Sequence, residues 1–309
     1  MSRHLNRYGT LVGLVLICAA FALARPDAFP TVANLVNVSQ QMATLAILAC
    51  GATFVMVIGE FDLSVGFVAS WAGVMIASLF GLGVPVVLAL ALTLAVCMAI
   101  GAVGGTLVAR FAVPSFIATL ALGTVVSGVS HWASGGASIF TGIPDGFKAL
   151  ARLKPAGVPV LTLWMVLILL AAGFTLGQTE FGRRLYAIGG NREAARLAGV
   201  PVRRDATLAF AISGLLAGVT GVLLAARVGS VQHTMGDGLL LPAYAAVFLG
   251  TTAFHDGEPN VAGTLLGVAI IAVLANGLTI LNVKPFYVEM LTGAIIIVAV
   301  LLRRAARSP

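Results

Sequence analysis

The sequence predicts an all-α, polytopic bundle of transmembrane helices, and three observations lead there. Of 309 residues, 60% are hydrophobic and only 9% charged, against about 25% charged in an ordinary soluble domain. The mean hydropathy of +1.06 is spread over the chain, so most of it must sit in lipid or against other lipid-embedded segments. The apolar runs are roughly 15 to 25 residues long without two-residue alternation, which leaves helices as the spanning structure, since backbone groups must be satisfied inside hydrocarbon.

In order, the runs place about ten spans within a single domain covering 1–309: 8–24, 34–58, 63–81, 84–109, 115–134, 159–176, 206–226, 241–254, 261–282 and 288–302. The first follows Arg3, His4 and Arg7 and ends in Ala22-Leu23-Ala24, the profile of a secretory leader. Its length and the spans that follow at once favour retention as an anchor. The eighth is short and carries Pro242. Lys and Arg in the connections set orientation. With the N-terminus inside, twelve fall inside (Arg3, Arg7, Arg110, Arg183, Arg184, Arg192, Arg196, Arg203, Arg204, Arg303, Arg304, Arg307) and six outside (Arg25, Lys148, Arg152, Lys154, Arg227, Lys284), so both termini are expected in the cytoplasm.

Several classes of function are excluded. The net charge of +7 comes from basic residues between apolar runs, with no basic face interleaved with aromatics, so no nucleic-acid partner is expected. Cys18, Cys50 and Cys97 lie singly in apolar stretches and read as packing residues. A phosphate-binding P-loop needs GxxxxGK[ST], yet the only lysines, Lys148, Lys154 and Lys284, are followed by Ala149, Pro155 and Pro285. The chain therefore has no ATPase motif of its own. Four scattered histidines, His4, His131, His233 and His255, form no catalytic or metal-ligating cluster in sequence. No enzyme activity, cofactor or metal is expected of the chain itself. Acid and base pairs inside the spans, the mark of a secondary transporter, are almost lacking; such a transporter or facilitator is the alternative class.

The central connection, 178–205, holds six arginines together with Leu185, Ile188, Ala195 and Leu197. A mere linker has no use for that apolar content. Asn191 reads as the cap of a short helix over 193–197, with Gly199 closing it and Pro201 barring its continuation. A compact helix of this kind can dock in a partner's groove, or it can be an ordered positive-inside loop.

Gly182-Arg183-Arg184-Leu185-Tyr186-Ala187-Ile188-Gly189-Gly190-Asn191, followed by Glu193-Ala194-Ala195-Arg196-Leu197-Ala198-Gly199-Val200, resembles the ATPase-docking loop of the ABC permeases of the ribose, xylose, arabinose and autoinducer-2 importer group. Asp62-Leu63-Ser64-Val65-Gly66, Val113-Pro114-Ser115-Phe116-Ile117-Ala118-Thr119-Leu120, Ser213-Gly214-Leu215-Leu216-Ala217-Gly218, Gly263-Thr264-Leu265-Leu266-Gly267 and Asn276-Gly277-Leu278 match further signatures of that group in order. The resemblance covers about 34–302. It implies a subunit of the bacterial inner membrane that works as a homo- or heterodimer of permeases, with an ABC ATP-binding subunit holding ATP and Mg, and an extracytoplasmic solute-binding protein delivering a sugar-like solute. Glu60, Pro242 and His255-Asp256 depart from the group's usual pattern.

On that resemblance, ATPase coupling falls to Gly182, Arg183, Tyr186, Ala187, Gly189, Gly190, Asn191, Glu193, Ala194, Ala195, Leu197 and Gly199. Asn37, Gln40, Gln41, Ser115, Phe116, Thr119 and Asn276 are polar or aromatic groups within or beside spans, suited to a sugar pathway; interhelical hydrogen bonding accounts for the same residues. Glu60, Asp62 and Ser64 stand between two spans, as a helix N-terminal cap or as a gating element. The outer connection, 135–158, is a surface for the binding protein or a simple cap. Gly101, Gly104, Gly105, Gly214, Gly218 and Gly221 are expected at close helix contacts.

Overall fold

The computed structural model describes residues 3–251, 257–284, 286–291, 293, 294 and 297, with side chains from Thr10 onward. The named α-helices are α1 (Arg3–Ala24), α2 (Val32–Val57), α3 (Val65–Gly81), α4 (Val86–Ala109), α5 (Ser115–Ser134), α6 (Asp145–Arg152), α7 (Val160–Gln178), α8 (Glu180–Gly190), α9 (Arg192–Leu197), α10 (Val202–Val228), α11 (Leu240–Gly250) and α12 (Val261–Ile280). No strand forms among the described residues; a single antiparallel bridge joins Ile139 to Val231. Among the described residues six helices, α2, α4, α5, α7, α10 and α12, are long and apolar enough to cross a membrane. The apolar parts of α1, α3 and α11 are shorter. Most of the tenth expected span, with the basic C-terminus and His255-Asp256, lies outside the described residues.

Burial explains the layering. α2 and α10 are buried along most of their length, and α10 packs on α4, α2 and α3. α4 and α5 instead turn Val87, Leu88, Val103, Ile117 and Val125 outward. Such outward apolar faces suit hydrocarbon, where helix association comes from close packing between small residues. At the α4–α10 crossing, a Cβ added to Gly101 would strike the Phe210 carbonyl, and one added to Gly214 would strike the Cys97 carbonyl. Gly221 abuts the Ala69 carbonyl of α3 in the same way. Gly104 differs: it faces Leu122 and Thr119 of α5.

Both long connections are more ordered than the sequence reading placed them. Within 135–158, α6 buries Phe147, whose ring stands edge-on to Phe80 at 5.0 Å. Arg152 then donates to the Arg227 and Val228 carbonyls at 3.0 and 2.7 Å, capping the C-terminal end of α10. The segment 178–205 is two helices and the start of a third, because α8 is capped by the Thr179 hydroxyl accepting from Gly182 N and α10 already begins at Val202. Pro242 sits in the first turn of α11, where a missing N–H is tolerated, and does not break that helix.

Candidate coupling site

The non-helical turn between α2 and α3, residues 58–64, lies among helices with Ile58, Asp62 and Ser64 buried and Gly59 exposed, so most of its backbone polar groups must find partners inside the protein. They do so largely through side chains. Ser115 Oγ accepts from Phe61 N at 3.2 Å, the Tyr244 hydroxyl from Asp62 N at 2.7 Å, Thr119 Oγ1 from Leu63 N at 3.0 Å, and the Asp62 carboxylate from Ser64 N at 3.1 Å. Gly59 N and Glu60 N reach back to the Met56 and Val55 carbonyls. The Tyr244 hydroxyl also donates to the Asp62 carbonyl at 3.0 Å. Residues from α5 and α11 thus hold the turn's shape.

Asp62 is the centre of this knot. Its side chain is 1% exposed, and its two carboxylate oxygens accept from the Ser64 hydroxyl and, on α10, the Ser213 hydroxyl at 2.8 Å. Ser64 occupies the N-cap position of α3 but gives its hydroxyl to Asp62, with no side-chain bond to a helix amide. Glu60, by contrast, is only partly covered and meets Arg192 at 2.9 Å. Arg192 is the first residue of α9, so the turn is tied directly to the segment expected to couple to an ATPase.

α8 and α9 form a two-sided unit. Inward, Gly182, Leu185, Ile188 and Ala195 are buried, and Gly189 lies so close to the end of α2 that a Cβ there would strike the Val57 carbonyl. The Tyr186 hydroxyl donates to the Pro259 carbonyl at 2.9 Å; burial, with the Glu258 charge adding to it, pushes that phenol up to about 12. Arg184 bonds the buried Asp205 carboxylate at 2.6 Å, fixing α8 to the first turn of α10. Outward, Arg183, Ala187, Gly190, Asn191, Glu193, Ala194 and Leu197 are exposed, Leu197 to 75%. Asn191 Oδ1 accepts from Ala194 N at 2.9 Å, the expected cap, and Gly199 takes a φ of 83° where α9 ends. Glu193 is hydrogen-bonded by Arg196, which holds its carboxyl below the usual range.

The residues expected along a pathway divide. Ser115 and Thr119 are buried and engaged with the 58–64 turn, and Asn276 exchanges two amide hydrogen bonds with Asn34 of α2 at 2.9 and 3.0 Å. Asn37, Gln41 and Phe116 are exposed, and Gln40 is half-buried with its carbonyl 3.4 Å from an Arg227 nitrogen. Asn34, Ser213, Tyr244 and Arg192 were missed as members of these networks. A polar side chain in an otherwise apolar run was the available signal for Asn34, but its partner lies 242 residues away.

Residues 34–300 match the family described as Branched-chain amino acid transport system / permease component. The ribose import permease protein RbsC of Escherichia coli (strain K12) is 37% identical over 94% of this chain and 92% of its own length. The L-arabinose transport system permease protein AraH of the same strain is 33% identical over 97% and 90%. Among solved structures, an inward-facing chain titled as a metal-chelate type ABC transporter covers 95% of this chain and 98% of its own, with a TM-score of 0.50 and 17% identity, which establishes a shared fold. The chain belongs to the Branched-chain amino acid transport system / permease component family, a membrane-embedded ABC permease.

Proposed function

We propose that the chain is the transmembrane subunit of an ATP-driven importer that carries a sugar or sugar-like small polar solute across a bacterial inner membrane by alternating access. The observation behind this reading is the two-sided α8–α9 unit: its inner face abuts the end of α2 through Gly189 and grips the 58–64 turn through the Arg192–Glu60 pair, while its outer face is open to a partner. The names of the relatives, ribose import permease and L-arabinose transport system permease, support sugar as the solute class.

In this reading an ABC ATP-binding subunit, carrying ATP and Mg, docks on Arg183, Ala187, Asn191, Ala194 and Leu197. A second permease subunit, identical or related, completes the pathway, and an extracytoplasmic binding protein delivers solute at the far end. About ten spans with both termini in the cytoplasm put α8 and α9 on the ATPase side. Closure of the ATPase pushes α9, the Glu60 contact moves the 58–64 turn, and Asp62 passes the displacement to α10 through Ser213. Asn37, Gln40, Gln41 and Phe116 are retained as pathway residues; Ser115, Thr119 and Asn276 act by positioning backbone and helices. Transport assayed in proteoliposomes with the ATP-binding subunit tests this. Leu197→Gly and Leu197→Trp should insert normally and lose most ATP-dependent uptake, and normal uptake in both would overturn the assigned coupling surface.

A further inference from the structure

We propose that His131 and His233 form a two-histidine site for a borderline divalent transition metal such as Zn2+, Ni2+ or Cu2+, clamping α5 to the segment that joins α10 and α11. His131 lies in the last turn of α5 and His233 in the 229–236 connection. Their facing nitrogens, Nδ1 and Nε2, are 3.2 Å apart, with the rings edge to face at 84° and 4.6 Å between centroids. At such a contact one ring donates and the other accepts, so a lone pair is already directed into the gap. Two imidazole nitrogens bound to one tetrahedral ion at about 2.0–2.1 Å lie roughly 3.3 Å apart. The spacing of the two nitrogens therefore already suits an ion, which would replace the shared proton once the rings tilt to bring both lone pairs onto it.

The two rings are held in place from several sides. Two residues before His233, Val231 exchanges a pair of 2.8 Å backbone hydrogen bonds with Ile139, and the Ser130 hydroxyl reaches the His233 carbonyl at 3.5 Å. Gly136, at φ 72°, closes over the His131 ring so tightly that a Cβ would sit 3.1 Å from Cε1. Both histidines stand at an exposed contact, leaving further coordination positions to water. Among the described residues no group of three or more His, Cys, Asp and Glu is placed to hold a metal, so the site has two protein ligands and is an exchangeable one. His131 follows Ser115 by sixteen residues of α5, roughly 24 Å along the helix axis, which puts the pair at the end of the bundle away from α8 and α9. α5 packs mainly on α3 and α4, so an ion here adds a tie between α5 and the 229–236 segment that would resist their relative motion during transport. The clamp's effect on transport rests on the proposed importer function; the binding does not.

The test uses the full-length chain, without a histidine tag, purified in detergent and titrated with Zn2+ against a chromophoric chelator. One equivalent should bind, weakened at least tenfold by His131→Gln or His233→Gln and unchanged when His4 and His255 are replaced. Electron paramagnetic resonance of the unmodified chain with one equivalent of Cu2+ should show two imidazole nitrogens, which keeps the site testable if a variant folds poorly. Zn2+ should inhibit ATP-driven uptake by the unmodified protein and spare the His131→Gln variant. Unchanged binding in the double His131→Gln, His233→Gln variant, or a copper spectrum without two nitrogens, overturns the site. Binding with uptake unaffected overturns the clamp alone.

Discussion

The Ser213 hydroxyl on α10 donates to the Asp62 carboxylate at 2.8 Å, joining residues 151 apart in the chain. A buried carboxylate that loses a donor bears the desolvation cost uncompensated. Ser213→Ala should therefore destabilise the protein by about 1–3 kcal/mol, read as a lowered unfolding temperature in detergent. Asp62→Ala should cost more, because it also strands Ser64 N and both serine hydroxyls. A Ser213→Ala protein as stable as the unmodified one would remove Asp62 from the centre of the knot.

Gly189→Ala places a methyl group, fixed rigidly to the α8 backbone, against the backbone carbonyl of Val57, so α8 must move away from α2. Overpacking of this kind typically costs about 1–3 kcal/mol. The neighbouring Gly190 has nothing near its would-be Cβ, so Gly190→Ala should leave stability unchanged. Comparing the two variants by thermal unfolding and by ATP-driven uptake separates a displaced helix from a general intolerance of side chains.

The Arg192–Glu60 pair at 2.9 Å crosses from α9 to the 58–64 turn and is partly solvent-exposed. Its direct contribution to stability should be modest, about 0.2–1 kcal/mol, and reduced by salt. Its mechanical role should exceed that figure. Glu60→Gln and Arg192→Gln should each weaken ATP-driven uptake severalfold while unfolding temperature barely changes, and the double variant should be no worse than either single one. Additive losses in that cycle would show that the two residues act separately.

Much of the architecture was legible because apolar run length, Gly and Pro encode helix ends locally. The 115–134 run coincides with α5, and Asn191 caps α9 as its type and position required. α8 was not foreseen: its Thr179 cap and its apolar face are there in the sequence, but six arginines nearby read as connection. The networks escaped for a different reason. Asp62 looked like a helix cap since Asp-Leu-Ser is a cap-like string, yet burial beneath Tyr244 and Ser213, brought in from α11 and α10, redirects its oxygens. Those partners are set by tertiary packing. The His131–His233 contact was hidden likewise, its members lying 102 residues apart.

Acid should loosen α9 at its own pair. The Arg196 hydrogen bonds lower the Glu193 carboxyl in the folded protein, while an unfolded Glu titrates near about 4.3. The pair's stabilisation is therefore fully present above that unfolded value and fades as pH falls through the lower folded one. Both side chains are well exposed, so the effect is local and small. Hydrogen exchange over 192–197, corrected for intrinsic rates, should accelerate on acidification, and Arg196→Gln should abolish the difference.

The glycine-lined crossing of α4 and α10 has a mechanical corollary. Where Gly101 and Gly214 bring backbone to backbone, the side chains between the helices are few, and Phe210 beside Gly105 and Cys97 beside Gly218 are the knobs that axial travel of α10 along α4 would have to clear. α10 begins at Val202, five residues beyond the end of α9. In the proposed importer a shove delivered to that short helix would travel along α10 as along a pushrod, with those two side-chain contacts setting its stops.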